Sequence, residues 1–339
     1  MERLIIDAKG TEKIVYPKPE IIVTPPKRPE LTTYEEALEW NKLHQKHTEQ
    51  AVSFTQEYAK VEFNPIASSN RVLLINIADL HWGHLDVDYD FLDKNLSIIE
   101  YTPNVAGILT WNILDAAIPA KFPDGIMWSG QTAQEQVYTF RDKLKKMYEK
   151  GKIIAAIGDA SCHEGWAKRA TGWMIYRELF DDIGIPLLLN GGYLDVQVGQ
   201  ENYRLGLFHR TRFWSALNKT HGGDRMMDRI SDSEIIFTSH LHRAAVQRSV
   251  RYNPPFRKDT AVVSSGTSKL FDKYFRSTSG EEGEPGFQGI ILWADKHKFE
   301  VIFDLEAGEE LMLDAIKDEE QKKINLLRKE ISLLKNTIK

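Results

Sequence analysis

Apolar residues in this chain come as short continuous runs separated by polar and helix-spaced intervals. From residue 71 onward, runs at 72–78, 105–110, 153–157, 186–189, 193–199, 203–208, 234–238, 260–264, 288–294 and 299–304 have the length and β-branched content of strands. Between them, apolar residues at helical spacing predict helices over 88–100, 132–150, 166–182 and 223–231. Strands alternating with helices in the first half predict βαβ units and a parallel sheet, and the strand-rich second half predicts a second sheet packed on the first. The segments ILWAD and KFEVIFD, separated by Lys296 and His297, read as a closing hairpin. The fold class is α/β, a two-sheet β-sandwich flanked by helices.

The two ends follow other patterns. Residues 1–32 carry Pro17, Pro19, Pro25, Pro26 and Pro29 among β-branched residues and predict an extended arm. Residues 33–63 turn helical, opened by a capping box of Thr33 and Glu36, with His44 and His47 one turn apart on a polar helix. The core domain spans 71–305, and its segment STSGEEGEPG at 277–286 predicts a surface loop. Residues 309–339 form one charged helix, in which Ile324, Leu327, Ile331, Leu334 and Ile338 follow at intervals of 3, 4, 3 and 4. That heptad seam pairs Ile at one core position with Leu at the other, the combination of parallel two-stranded coiled coils. Two heptads do not hold alone, so the seam either packs on the domain or joins a homodimer.

Composition narrows the class. With 339 residues and 42% hydrophobic content the chain can bury one large core. No apolar run approaches the roughly 20 residues of a membrane span, and the first residues lack the apolar stretch of a secretory signal. The expectation is a cytoplasmic protein without a membrane partner. Cys162 is the sole cysteine, which excludes an intramolecular disulfide framework. The formal charge of -5 gives no global attraction to nucleic acid, yet residues 203–258 hold eleven Lys or Arg against four Asp or Glu. Such a stretch either steers a phosphorylated substrate or strand, or is a solvated face of alternating charge.

The candidate chemistry starts at 72–84, VLLINIADLHWGH, where an apolar strand delivers Asp79 and His81 at its C-terminal end. His163, His209, His240 and His242 each follow a later apolar run. DLH at 79–81, HE at 163–164, FHRTR around His209 and SHLH at 239–242 resemble, in order and interval, the signature of the calcineurin-like metallophosphoesterase superfamily: DxH, GDxxD, GNHD or GNHE, a single His, then GHxH. The resemblance covers about residues 71–305. It implies the metallophosphoesterase fold, two divalent cations with manganese expected first and zinc, iron or magnesium as alternatives, and phosphodiester hydrolysis by a metal-activated hydroxide. By the same resemblance Asp79, His81 and His242 hold the first cation, His209 and His240 the second, and His163 acts beside the leaving group as acid or electrostatic stabiliser.

Two blocks depart from that pattern. The second reads Trp111, Asn112, Ile113, Leu114, Asp115, so Asn112 offers a neutral carbonyl oxygen where the family bridges its cations with a carboxylate. The third reads GDASCHE, so either Cys162 or Asp159 takes the place of the metal-binding asparagine. The long insertion after Asp115 predicts a helix over 132–148 and an aromatic loop at 122–128 that either walls the substrate cleft or packs on its own helix. A similar insertion in phage and bacterial relatives likened to DNA-repair exonucleases, with Arg210, Arg212 and Arg243 near the histidines and Arg248 and Arg251 further on, implies DNA or a nucleotide as the phosphoester partner. A phosphomonoester substrate is the alternative for an enzyme, and a binding scaffold that kept the fold is the alternative to one.

Overall fold

The computed structural model describes residues 33–39, 42, 58–63, 65, 69–117, 125–158, 162–211, 215, 217–229, 233–253, 256–269 and 283–337. Two six-stranded sheets face each other. In the first, β2 (Arg71–Ile77), β3 (Val105–Leu109), β4 (Ile153–Gly158) and β5 (Leu187–Leu189) run parallel, and β11 (Gly289–Trp293) and β12 (Phe299–Ile302) close its other side as an antiparallel hairpin. The second has the order β1 (Tyr58–Glu62), β6 (Gly192–Val198), β7 (Glu201–Phe208), β8 (Ile235–Thr238), β10 (Phe256–Ser264), β9 (Ala245–Asn253). Within it β1 and β6, β7 and β8, and β8 and β10 pair parallel, while β6 with β7 and β9 with β10 pair antiparallel.

Strands β3 and β4 are apolar throughout because both faces are covered, and each is buried at every residue. Helix α1 (Tyr89–Tyr101) connects β2 to β3, and α2 (Ala133–Glu149) connects β3 to β4. Both begin on sequence-legible caps, the Asp88 carboxylate accepting from Phe91 N at 2.9 Å and a reciprocal capping box of Thr132 with Glu135. Short α3 (His163–Thr171) follows β4 and ends at Gly172, whose φ of 78° suits a residue without a Cβ. Helix α4 (His221–Arg229) packs on β8 and β10, and α5 (Leu305–Thr337) packs its first turns on β2, β12 and α1.

Several expectations change. Residues 34–39 are helical behind the expected capping box of Thr33 and Glu36, but 58–62 form β1 rather than the end of a helix over 33–63. Ala59 and Val61 alternate with exposed neighbours, a period of two that a helix cannot bury. Strand β1 pairs parallel with β6, so residues ahead of 71 belong to the second sheet. The arm at 1–32, His44, His47 and loop residues 277–282 lie outside the described residues. The helix expected over 166–182 is α3 followed by a separate turn at Arg177–Asp181. Strand β9 is absent from the sequence-based reading because AVQRSVRYN alternates charged and small residues and carries no apolar run. On α5, Ile324, Leu327 and Ile331 are exposed, so this part of the heptad seam does not pack on the domain. The side chains of Leu334 and Ile338 lie outside the description.

The two sheets meet through polar groups as well as through the apolar core. Asn76, fully buried on β2, donates from Nδ2 to Thr238 O at 2.8 Å and to Val263 O at 3.0 Å, both in the opposite sheet. Its Oδ1 accepts from Thr110 Oγ1 at 2.5 Å, and its carbonyl accepts from Ser265 Oγ at 3.1 Å. Replacing Asn76→Leu leaves two buried carbonyls and a hydroxyl without these partners and should destabilise the domain by about 3 kcal/mol or more. Urea unfolding measures this, and an unchanged midpoint would show that apolar contact alone joins the sheets.

Candidate metal centre

Loops leaving the C-terminal ends of β2, β3, β4, β7 and β8 supply the candidate residues: Asp79 and His81, then Asn112 and Asp115, then Cys162 and His163, then His209, then His240 and His242. The chain turns sharply at these points. Asp79, His81, Trp111, Asn112, His240 and His242 have φ of 52°, 50°, 85°, 50°, 77° and 55°, in the left-handed region that costs a non-glycine residue of order 1–3 kcal/mol. Surrounding bonds impose that geometry. Asp79 N donates to Trp111 O at 3.1 Å and His81 N to Asn112 O at 3.2 Å. The stretch after β10 grips the same loop, with Thr267 Oγ1 donating to Asp79 O at 2.7 Å and Ser268 Oγ to Leu80 O at 2.5 Å.

The side chains gather in three groups, each with ligand atoms within 4.8 Å of one another: Asp79 with His81 and His242, Cys162 with His209 and His240, and His81 with Asp115 and His163. Asp79 links the first two, since its Oδ2 accepts from His240 N at 2.7 Å and its Oδ1 lies 3.6 Å from His242 Nε2. Nε2 of His81 stands 3.1 Å from Nε2 of His242. Two nitrogens bound to one cation at about 2.1 Å would lie about 3.0 to 3.4 Å apart, for right-angled to tetrahedral placement, so this spacing fits a shared ion. Cys162 Sγ lies 3.7 Å from His240 Nδ1.

The electrostatics favour ligation. Burial holds the His81 imidazole well below its ordinary range, lowers His163, and takes His240 down to about 3, so all three are neutral donors near pH 7. Burial opposes ionisation of Asp79, yet His242, His209 and His240 around it hold its carboxyl below the usual carboxylate range. His81 Nδ1 and Asn112 Oδ1 are among the buried atoms of the described residues that have no hydrogen-bond partner. Asn112 Nδ2 donates to Asp79 Oδ1 at 2.9 Å, which leaves the amide oxygen as its unsatisfied ligand atom. Neutral imidazoles, an ionised carboxylate, a thiol and an orphaned carbonyl are the donor set of a divalent-cation site, and these residues fit one.

The predicted residues thus converge, with differences. Asp159 and Arg212 lie outside the described residues. Arg210 is exposed next to His209 and its charge reaches His240, while Arg243 is half-buried with Nη1 3.4 Å from Ser215 O. Much of the basic charge at 203–258 is matched: Arg248 meets Asp259 at 2.6 Å, Arg204 meets Asp195 at 2.7 Å, and Arg251 pairs with Asp224 and Asp228. Three residues gain a place at the site. Asp115 approaches His81 Nδ1 to 3.4 Å, and its carbonyl accepts from His163 Nδ1 at 2.5 Å. Lys269, 7% exposed, bears electrostatically on both His81 and His163. Its signal in the sequence is the polar run SSGTSK directly after an apolar strand.

The third is Glu164, fully buried, whose Oε1 accepts from Leu114 N at 2.8 Å and holds the turn after Asn112. Burial pushes its carboxyl up to about 8 from an ordinary 4.5. The folded chain then binds a proton that the unfolded chain gives up, so this group stabilises fully below pH 4.5 and loses its contribution as pH rises through 8. In the metal-stripped protein, Glu164→Gln should remove that part of the pH dependence, so that the variant loses less stability than the parent between pH 6 and pH 8.5. Parallel stability curves for the two proteins would refute the burial argument.

No protein-family model matches the sequence, and no curated protein matches it. Solved structures of similar arrangement include Vps29 from Cryptosporidium parvum, 14% identical over 68% of this chain and 95% of that one with a TM-score of 0.36. The metallophosphoesterase from Sphaerobacter thermophilus is 12% identical over 72% of this chain and 93% of its own, with a TM-score of 0.33. Vps29 complexed with zinc, from Entamoeba histolytica, is 12% identical over 68% and 98%, with a TM-score of 0.32. Likeness at this level carries no argument about chemistry, which rests on the geometry above.

Proposed function

We propose that this chain is a metal-dependent phosphoesterase of the calcineurin-like type that hydrolyses phosphodiesters, with single-stranded nucleic acid as the first substrate class. The convergence of Asp79, His81, Cys162, His209, His240 and His242 from both sheets, with Asn112 Oδ1 buried and unsatisfied among them, carries this reading. Asp79, His81 and His242 would hold one divalent cation, and Cys162, His209 and His240 a second. Bound there, such cations supply Lewis acidity toward phosphoryl oxygens and acidify water.

The protein's own groups do the rest. His163 donates from Nδ1 to Asp115 O, which fixes its tautomer and leaves Nε2 as the titrating atom. It can deliver a proton to a leaving oxygen only from the imidazolium form, which burial opposes and the Asp115 carboxylate supports. Asp79 is both a ligand and the group that positions the His240 backbone. Arg210 and Arg243 suit phosphate oxygens by their planar forks.

An apolar platform stands close along the chain. Leu85, Met127 and Trp128 are 58%, 78% and 38% exposed, and Leu85 N donates to Trp128 O at 2.8 Å. The same strip is tied to the ligand loop through Gly130 N to Gly83 O at 2.8 Å and His84 N to His81 O at 3.0 Å. An exposed apolar strip that includes Trp128, joined to this loop, suits base stacking without sequence readout.

The test is hydrolysis of bis(p-nitrophenyl) phosphate and of single-stranded DNA by metal-stripped protein with divalent cations added back. Activity should return with the metal and fall by more than about 100-fold in His81→Ala, a larger loss than removal of a residue that only supports a ligand. Preference for p-nitrophenyl phosphate would redirect the reading to a phosphomonoesterase.

A second reading, a phosphoesterase-fold binding protein without turnover, is favoured by one observation. Asn112 spends its amide on Asp79 and brings no negative charge to offset two cations. Asn112→Asp should therefore raise divalent affinity by about tenfold or more and increase the rate. Folded protein inactive with every metal, but made active by this substitution, would establish the second reading.

A further inference from the structure

We propose that Cys162, His209 and His240 form a thiolate-bearing site for a borderline-soft divalent cation of the zinc class, unlike its neighbour at Asp79, His81 and His242. This deepens the reading above, and it rests on the metal-binding part of that reading and not on turnover. The three side chains come from three loops and both sheets, and their ligand atoms lie within 4.8 Å of one another.

The histidine geometry points to a ligand. His209 Nδ1 lies 2.9 Å from Thr110 O and 2.7 Å from Ser239 Oγ. A carbonyl can only accept, so Nδ1 carries the proton and Nε2 keeps its lone pair. Donation of the second ring nitrogen to a backbone carbonyl is the arrangement that orients a metal-binding imidazole. Ser239 Oγ also reaches Thr110 O at 3.0 Å, which locks the ring from a second side. His240 is held by its backbone N donating to Asp79 Oδ2 at 2.7 Å, with Nδ1 3.7 Å from the sulfur.

The role of Cys162 follows from burial and position. Cys162 is 1% exposed, and such burial opposes a nucleophilic role and suits a ligand. It caps the N-terminus of α3 with no side-chain hydrogen bond to that helix, and the helix dipole there favours an anionic ligand. His163, its chain neighbour, turns to Asp115, and the imidazole at the sulfur is His240. On binding, the thiol loses its proton to solvent and the sulfur lone pair goes to the cation. A thiolate with two imidazoles selects zinc, iron(II) or cobalt(II) over manganese and magnesium, whereas the carboxylate and two imidazoles of the adjoining group do not discriminate in this way. The manganese expectation then applies to the carboxylate group alone.

Cobalt(II) makes the distinction visible. Metal-stripped full-length protein titrated with cobalt should develop a near-ultraviolet thiolate-to-metal charge-transfer band that saturates at one ion per chain, together with visible bands from all bound cobalt. Zinc should erase the band and manganese should not. In His81→Ala the band should persist although the neighbouring site is damaged. In Cys162→Ser, with circular dichroism matching the parent, the band should vanish and zinc affinity should fall by about tenfold or more. X-ray absorption at the zinc edge of the unaltered protein should show one sulfur at about 2.3 Å. Cobalt bound without the band, or zinc with only nitrogen and oxygen neighbours, overturns the thiolate site and leaves metal binding intact. Folded protein that binds neither ion overturns both readings.

Discussion

The structure depends on the closure of one sheet against the other at a buried polar seam. Asn76 reaches across to two carbonyls of the opposite sheet, and Thr110 joins it at the end of β3. Directly beyond these residues the strands end and the site begins. Asp79 and His81 belong to one sheet, and His209, His240 and His242 to the other. Asp79 with His81 and His242, and Cys162 with His209 and His240, each draw on both sheets, so the distance between the sheets is also the distance between these donors. A seam made only of Leu and Val would tolerate small slips that a set of hydrogen bonds with fixed directions does not.

The site itself is held away from its lowest-energy backbone. Six residues in the left-handed region each raise the energy of the folded chain. The Thr267 and Ser268 hydroxyls, the Leu114 amide on Glu164 and the paired loop amides hold that arrangement in place. A cation would satisfy what the protein leaves open, above all Asn112 Oδ1.

Much of this was readable from residue order, and for physical reasons. A doubly covered strand must be apolar throughout, so β2, β3 and β4 announced themselves, and the Thr132 and Glu135 cap marked α2. The candidate ligand residues stood out because a His or Asp just after such a run lies at a strand end. Strands β1 and β9 were illegible because they sit at the edges of the second sheet, where one alternating face suffices and charge is tolerated. The roles of Asp115 and Lys269 come from neighbours distant in the chain, His81 and His163, which neither the second block nor the polar run SSGTSK identifies.

Helix α5 runs for 33 residues, about 50 Å at 1.5 Å per residue, yet among its described side chains the buried ones end at Ala315. An isolated helix of the remaining length is marginal in water, chiefly because its first turn is costly to form. Here that turn is already built, as Leu305 and Met312 anchor the start of the helix in the core. The outer half needs only propagation, one hydrogen bond for each residue added. The domain thus acts as a template that presents Ile324, Leu327 and Ile331 on a preformed helical face, at a lower entropic cost than a disordered tail would incur.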